Sequence, residues 1–392
     1  MLDLGKTSLK VLLLSHIDEG AWMLPRLLAR SGFLVDVITC SPLIKYSEYV
    51  QKCYVTNLKS LPLIALKELI HRYDWVICTD DSVLKEISRS DLSPEEKLRL
   101  LPVLDIAKLL HIYSRLGLAK IFYQYGISTP PFCVVNSLLE ASFAAQEMGY
   151  PVLLKTDYSG GGTGIFECQS EVDICEAPKD FLKGSFLVQK KIIGRELDLS
   201  ALYLEGNLIH FSYCEIQQTI HKFGPSRLRL YTPLNLVDKA VFDELAALGK
   251  ALGAHGFVNI SCMESDGKRF YFEADMRPNV WVEFSRFFGE DPSQRIANWF
   301  CKKDVLKYPV MNFQYMSPVI LPYFLRLKRW ELLINRYNVW SFIFFEDRRL
   351  VSKLLLKHVC PRINVSHIPI VKSFTPKKIK KKWLRLKAFF CV

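Results

Sequence analysis

Lys155-Thr156-Asp157-Tyr158-Ser159-Gly160-Gly161-Gly162-Thr163-Gly164 is the stretch around which the rest of the chain can be ordered. Pro151 opens the apolar run Val152 to Leu154, a buried strand that delivers Lys155 into a glycine-dense loop. Backbone amides in such a loop can point inward together because no side chain blocks the approach, and oxyanions fit that concavity. No Lys-Ser or Lys-Thr follows the glycines, so the Walker pattern is excluded. A flexible hairpin connection has the same composition. The neighbouring sequence has to decide between the two.

Downstream, Val188-Gln189-Lys190-Lys191-Ile192-Ile193-Gly194-Arg195-Glu196 reads as a strand over Phe186 to Lys191, a turn at Gly194, and a second strand from Glu196 to Leu204. Such a strand can present backbone groups to an adenine edge while a carboxylate beyond the turn accepts from ribose hydroxyls. Further on, Val258 to Met263 and Phe270 to Ala274 are strands joined by the hairpin turn Ser265-Asp266-Gly267-Lys268. The return strand runs into Phe272-Glu273-Ala274-Asp275-Met276-Arg277-Pro278-Asn279. Glu273 and Asp275 alternate across one residue and share a face. With Arg277 two further along, they make a seat for Mg²⁺ and phosphate oxygens. A surface ion-pair ladder is the structural alternative. Lysine, glycine loop, adenine strand and acid pair together point to a nucleotide.

Upstream, Leu9 to Leu14 is an expected strand, Ala21 to Ser31 a helix, Leu34 to Thr39 a strand, Leu63 to Arg72 a helix and Trp75 to Cys78 a strand. Strands alternating with helices imply a parallel sheet, which binds ligands beyond the carboxyl ends of its strands. His16, Asp18, Glu19, Asp80 and Asp81 fall at such ends, as substrate contacts or as helix caps and turns. Helices are expected over Leu116 to Tyr125, Leu139 to Met148 and Phe242 to Leu252. The run Val11 to Leu14 reads as a buried strand rather than a leader peptide.

Of 392 residues half are apolar, enough for two or three domains. Eleven cysteines, without a C-x-x-C pair, support neither a disulfide framework nor a zinc cluster, and point to a reducing cytoplasm. The net charge of +12 is unevenly spread: residues 301–392 hold 20 Lys+Arg against 4 Asp+Glu, leaving 32 against 36 for the first 300. The last quarter has surroundings of its own.

These motifs resemble the ATP-grasp superfamily, especially its carboxylate-amine ligases and its carbamoyl-phosphate-synthase-like branch. Gly126-Ile127-Ser128-Thr129-Pro130 matches the family's Gly-Ile-x-x-Pro turn and puts Arg115 at the basic position eleven residues before it. Lys155, Gly160 and Gly164 match the second phosphate lysine and its glycines. Gln189 to Ile192 and Glu196 match the adenine strand and ribose acid, and Glu273, Asp275 and Arg277 match the metal and phosphate motif. The likeness spans roughly residues 8 to 300.

The resemblance implies an α/β and α+β chain. A Rossmann-like pre-ATP-grasp domain (1–105) precedes a two-lobed ATP-grasp domain (106–305) and a basic C-terminal extension (306–392). It implies ATP and Mg²⁺, with Mn²⁺ able to substitute. The nucleotide contacts are Arg115, Lys155, Gly160, Gly161, Gly162, Gly164, Gln189, Lys190, Ile192 and Glu196; the metal ligands are Glu273 and Asp275. Lys155 and Arg277 would act in catalysis. The implied activity is activation of a carboxylate as an acyl phosphate and its coupling to an amine, with ADP and phosphate released. A nucleotide-binding regulator with weak or no catalysis and a kinase-like enzyme are the rivals. Three positions depart from the pattern: Ser261 stands where a carboxylate or amide ligand is usual, Asp275 replaces an Asn, and Gln189 replaces the commoner Glu beside adenine. Glu264 or Asp266 could compensate for Ser261.

In Gln217 to Arg229, alternating Arg227 and Arg229 could reach a substrate carboxylate or phosphate and His221 could carry a proton. Solvent-facing positions on a mobile loop are the alternative. The partners expected are a small-molecule carboxylate and an amine; nucleic acid is not expected, and a homodimer is allowed. In Lys377 to Phe390, Ile379, Trp383, Leu386 and Phe390 fall near one helical face among lysines, the pattern of an interfacial helix on the inner leaflet. A tail packed on the protein or solvated would read the same.

Overall fold

Near-continuous apolar runs such as Val11 to Leu14 bury both faces of a strand, which suits a parallel sheet covered by helices. In the computed structural model of the protein, residues 8–16, 22–40, 43–56, 63–300, 315–316, 347, 349–350 and 352 are described. The N-terminal sheet is parallel, in the order β3-β2-β1-β4, from β1 (Lys10–Ser15), β2 (Leu34–Thr39), β3 (Val50–Val55) and β4 (Trp75–Cys78). Its first helix, α1 (Leu24–Arg30), has Pro25 in its first turn and is shorter than the expected Ala21 to Ser31. The second, α2 (Leu63–Leu69), tightens into a 3₁₀ turn over Ile70–Arg72. The next, α3 (Asp81–Arg89), begins where Asp80 accepts from the Val83 amide at 3.0 Å. Asp80 is thus a cap, as the blander of the two readings has it. A capping box of Ser93 and Glu96 starts α4 (Pro94–Leu100). Asp18 and Glu19 lie outside the described residues.

Beyond a 3₁₀ stretch, α5 (Arg115–Gln124) is capped by Ser114 and ends before Gly126, whose φ is +65°. A second sheet then forms from β5 (Phe132–Val135), β6 (Val152–Thr156), β7 (Ile165–Cys168) and β8 (Phe186–Lys190), antiparallel throughout, in the order β5-β8-β6-β7. With α6 (Leu138–Met148) and α7 (Glu171–Cys175) it encloses its own core of Val135, Ala141, Ala145, Leu154, Phe186 and Val188.

The largest sheet has six strands in the order β13-β12-β9-β10-β11-β14. They are β9 (Arg195–Leu204), β10 (Asn207–Thr219), β11 (Ser226–Thr232), β12 (Gly256–Ser265), β13 (Lys268–Asp275) and β14 (Tyr315–Met316). Leu245, Leu248 and Leu252 of α8 (Lys239–Leu252) pack on Leu197, Leu199 and Tyr203, in one cluster with Leu12 and Leu14 of the N-terminal sheet. A second cluster joins Val11 and Leu13 to Leu202, Leu204 and Tyr231, and takes in Ile296 of α9 (Pro292–Phe300). The parallel sheet and the six-stranded sheet therefore share their cores, while the small sheet holds a separate one. A cleft is left between the small sheet and the six-stranded sheet.

The basic C-terminal quarter rejoins this body where it is described. Tyr315–Met316 forms the edge strand beside Arg229 and Leu230, and Leu350 is buried in the second cluster. The amphipathic stretch Lys377 to Phe390 lies outside the described residues. Among the described residues no helix is long and apolar enough to cross a membrane.

Candidate active site

The floor of the cleft depends on one extra residue. Ser261 pairs with Glu273 but the adjacent Cys262 pairs with Tyr271, so Phe272 is a β-bulge on β13. Before the bulge, odd positions face α8: Arg269 donates to Glu244 at 2.8 and 2.7 Å, and the Tyr271 hydroxyl donates to Glu244 at 2.6 Å. After it, even positions Ala274 and Met276 are buried in the core. The odd positions Glu273, Asp275 and Arg277 turn into the cleft. Without the bulge Glu273 would share a face with Tyr271.

Cross-strand register then sets polar groups in rows. Glu273, Ser261 and Asp198 are successive partners across β13, β12 and β9; Asp275, Asn259 and Ser200 form the next row, and Met263 and Glu196 the one before. All but Ser200 line one cavity of about 430 Å³. Burial first, then Asp198 and Glu273, push the Glu196 carboxyl up. Burial, with Glu273 and Asp81 beside it, pushes Asp275 up against the opposing charge of Arg277.

Lys155 faces this floor from the last turn of β6. It is buried, its Nζ donates to Gln189 Oε1 at 2.8 Å and lies 4.9 Å from the centre of the Phe272 ring. Burial and the charge of Arg115 push it down to about 8, partly offset by Glu273 and Glu196. Arg115, first residue of α5, donates to the Thr156 carbonyl at 2.9 Å and to the Ser159 hydroxyl. Among the described residues it has no carboxylate partner. The glycine loop closes between them with Thr156 N donating to Gly164 O at 2.9 Å. Gly162 has φ +80°, and a Cβ there would lie 2.1 Å from the Phe223 carbonyl oxygen, so only glycine lets the loop meet the β10–β11 turn.

Arg115, Lys155, Gly161, Gly162, Gln189, Lys190, Ile192, Glu196, Glu273, Asp275 and Arg277 all line this cavity. Gly160 lines an adjoining cavity of about 520 Å³, and Gly164 closes the loop behind both. The second cavity lies against the start of α3 and shares Arg115, Phe272, Glu273, Asp275 and Arg277 with the first. Arg277 joins the two, donating to Asp81 at 2.7 Å and to Asp275 at 2.9 Å. Among the described residues Asp81 is the strand-end acid that reaches the site through an ion pair; His16 turns to Ser82 at 3.2 Å and to Glu86 at 3.2 Å.

Arg229 lines the cavity, and its guanidinium already has a carboxylate partner. It is buried rather than mobile, and it donates to Asp198 at 3.0 and 2.7 Å beneath the Trp281 ring, 4.2 Å away. Burial pushes the Asp198 carboxyl up, and the guanidinium and the Asn259 amide at 3.3 Å offset only part of that. Arg227 is bonded to Gln218 at 3.1 Å, and His221 is exposed, beside the Lys222 carbonyl at 3.1 Å. Glu264 and Asp266 do not make up for Ser261: Glu264 pairs with Arg195 and Arg269, and Asp266 occupies the hairpin tip at φ +50°. Asp198 escaped the sequence reading. Its one visible signal was its place two residues after Glu196 on the same strand face.

No protein-family model matches the chain. The D-alanine–D-alanine ligase of Thermotoga maritima is 28% identical over 171 residues, 41% of this chain and 55% of that ligase. The chain thus matches about half the length of that curated relative. Among solved structures, N5-carboxyaminoimidazole synthetase from Staphylococcus aureus superposes with TM-score 0.63 at 14% identity, over 83% of this chain and 86% of that one. The biotin carboxylase domain of Hydrogenobacter thermophilus 2-oxoglutarate carboxylase, solved with MgADP, ADP and bicarbonate, gives 0.57 at 17% identity, over 79% and 73%. The chain has the ATP-grasp fold, and the expected fold class and family resemblance are borne out.

Proposed function

We propose that the chain is an ADP-forming ligase that activates a small-molecule carboxylate with ATP and couples it to an amine. The observation that carries this reading is that Arg115, Lys155, Glu273, Asp275 and Arg277, drawn from distant stretches, line a single cleft between two sheets. The relatives' names, a D-alanine–D-alanine ligase among them, support the same reaction class.

The residues present fit a nucleotide with a divalent metal. Glu273 has no ion-pair partner among the described residues, and Asp275, two residues on along the same strand face, is ion-paired there only with Arg277. Two oxygen donors on one strand face suit a hard cation, so Glu273 and Asp275 would hold Mg²⁺ or Mn²⁺. Bound there, the metal would neutralise charge on the phosphates. Arg115 and Lys155 would hold the phosphate oxygens, and the loop amides would cover them. Gln189 to Ile192 and Glu196 would take the adenine and ribose ends.

The substrate carboxylate attacks the γ-phosphorus, the bond to ADP breaks, and an acyl phosphate forms. The amine nitrogen then attacks the acyl carbon and phosphate leaves with the bonding pair. The protein supplies alignment and charge rather than a nucleophile. Arg277, at the junction of the two cavities, would steady negative charge passing between acid and phosphate. Buried Ser261 favours one alternative, a nucleotide-binding regulator with a weakened metal seat.

ADP and phosphate should form only when acid and amine are both present, with the coupled product seen by mass spectrometry. A phosphorylated acid formed without amine would indicate the kinase-like reaction, and binding without turnover the regulator. The domain limits 1–105, 106–305 and 306–392, a cytoplasmic site of action, peripheral membrane contact through the basic tail and a homodimer belong to this same proposal. Liposome flotation and light scattering test the last two.

A further inference from the structure

Two basic residues near the second cavity take no part in the phosphate site. Lys85 and Arg89 stand one turn apart on α3, away from the side that buries Val83, Leu84 and Ile87. Lys85 lines the cavity, and its Nζ lies 5.3 Å from the centre of the Tyr158 ring. The Arg89 guanidinium lies 5.4 Å from the Tyr113 ring and 5.5 Å from that of Tyr158, and its Nε donates to the Tyr113 hydroxyl at 3.2 Å. The two rings stack at 5.5 Å. They are fixed from behind, because the Ser114 hydroxyl donates to Asp157 at 2.6 Å and so joins the segments that carry them.

Among the described residues neither Lys85 nor Arg89 has a carboxylate partner. A ring face attracts a cation less strongly than an anion does in a charge-assisted hydrogen bond. The two cations are therefore oriented but not ion-paired, in a cavity wall that also carries Asp80, Asp81 and Asp157. Arg277 also lines this cavity, beside the residues that face the phosphates.

We propose that the acid taken by the second cavity carries a second anionic group, a carboxylate or a phosphate ester, received by Lys85 with Arg89 at the rim. The carboxylate to be activated then faces Arg277. Which carboxylate reacts rests on the ligase reading; the binding of a dianion does not. A strut between α3 and the tyrosines would make the same contacts but would show no preference among anions.

The test is calorimetric binding to the full chain with Mg²⁺ and a non-hydrolysable ATP analogue. Succinate, glutarate and 3-phosphoglycerate are compared with propionate and butyrate, for the native protein, Lys85→Gln and Lys85→Arg. The dianions should bind about tenfold or more tightly than the monoanions, Lys85→Gln should remove that advantage, and Lys85→Arg should keep most of it. A best ligand among the dicarboxylates or the phosphate ester supports the proposal in either case and names the group. Equal binding of both classes, no binding of any acid, or an equal loss for both classes in Lys85→Gln overturns it. ADP formation with the same acids and an amine is recorded separately. Lys85-dependent dianion binding without ADP formation removes the ligase reading and leaves the site; ADP formed from monoanions alone does the reverse.

Discussion

Removing Arg229 leaves the Asp198 carboxylate buried among Glu196 and Glu273 with only the Asn259 amide to answer it. Breaking one side of a buried ion pair costs about 3–5 kcal/mol, so Arg229→Met should lower stability by that order in chemical denaturation. Asp198→Leu combined with Arg229→Met should recover much of the loss. That recovery would separate the pair from a substrate contact, which would lower turnover without touching stability. Lys155 differs in kind. It is buried against Gln189 and Phe272 and held below its ordinary value, so Lys155→Ala removes an electrostatic cost of folding along with the cation proposed to hold phosphate oxygens. Turnover should fall by at least about a hundredfold, as for a deleted oxyanion donor, with an unchanged circular dichroism spectrum.

At the scale of the element, the bulge at Phe272 decides which residues can be a site at all. Deleting Phe272 makes Glu273 follow Tyr271 directly, and strict alternation then still puts the two on opposite faces with Cys262 and Ser261 as their partners. Soluble protein that keeps Glu273 in the cleft and still binds nucleotide is the expected outcome, in the deletion as in Phe272→Leu; loss of binding in the deletion alone would show that the extra residue itself is required. A second element-level device is Glu167 on β7, which accepts from Lys191 at 3.0 Å and forms an ion pair with Lys222 at 3.0 Å. Lys222 belongs to the β10–β11 turn whose Phe223 touches Gly162, so Glu167 fastens that turn to the small sheet over the cleft. Because Lys222 is largely exposed the latch is weak, worth roughly 1 kcal/mol. Glu167→Gln should speed release of a fluorescent ADP analogue by about fivefold in stopped-flow, leaving thermal stability nearly unchanged.

For the whole molecule, stability should fall in mild acid through histidines that the sequence gives no reason to single out. His111 is buried with Nε2 2.9 Å from the Leu252 carbonyl, and burial pushes it down to about 4; His210, buried beside Ser285, is pushed down to about 3. Below the ordinary value of about 6.5 the unfolded chain takes up protons that these folded residues refuse, so stability declines as pH drops from there towards about 4. Each site contributes at most about 3 kcal/mol over that window. Scanning calorimetry from pH 7 to pH 5 should show the fall, and a smaller slope in His111→Gln. Such histidines were illegible in the chain because their desolvation comes from segments far away: Leu252 lies 141 residues from His111. The glycine loop, the strand that carries Gln189, the acid Glu196 and the Glu273, Asp275, Arg277 run could be placed directly, since each is a local pattern whose residues sit within one strand or turn. So could the parallel first sheet, whose apolar runs and caps are likewise local. What required the folded molecule was everything set by strand neighbours or by sheet-on-sheet packing: the row that places Asp198 beside Ser261 and Glu273, the burial of Arg229, the edge strand returned by Tyr315–Met316, and the cavity against α3. Periodicity along a chain encodes which face a side chain takes, but not which other strand will lie next to it.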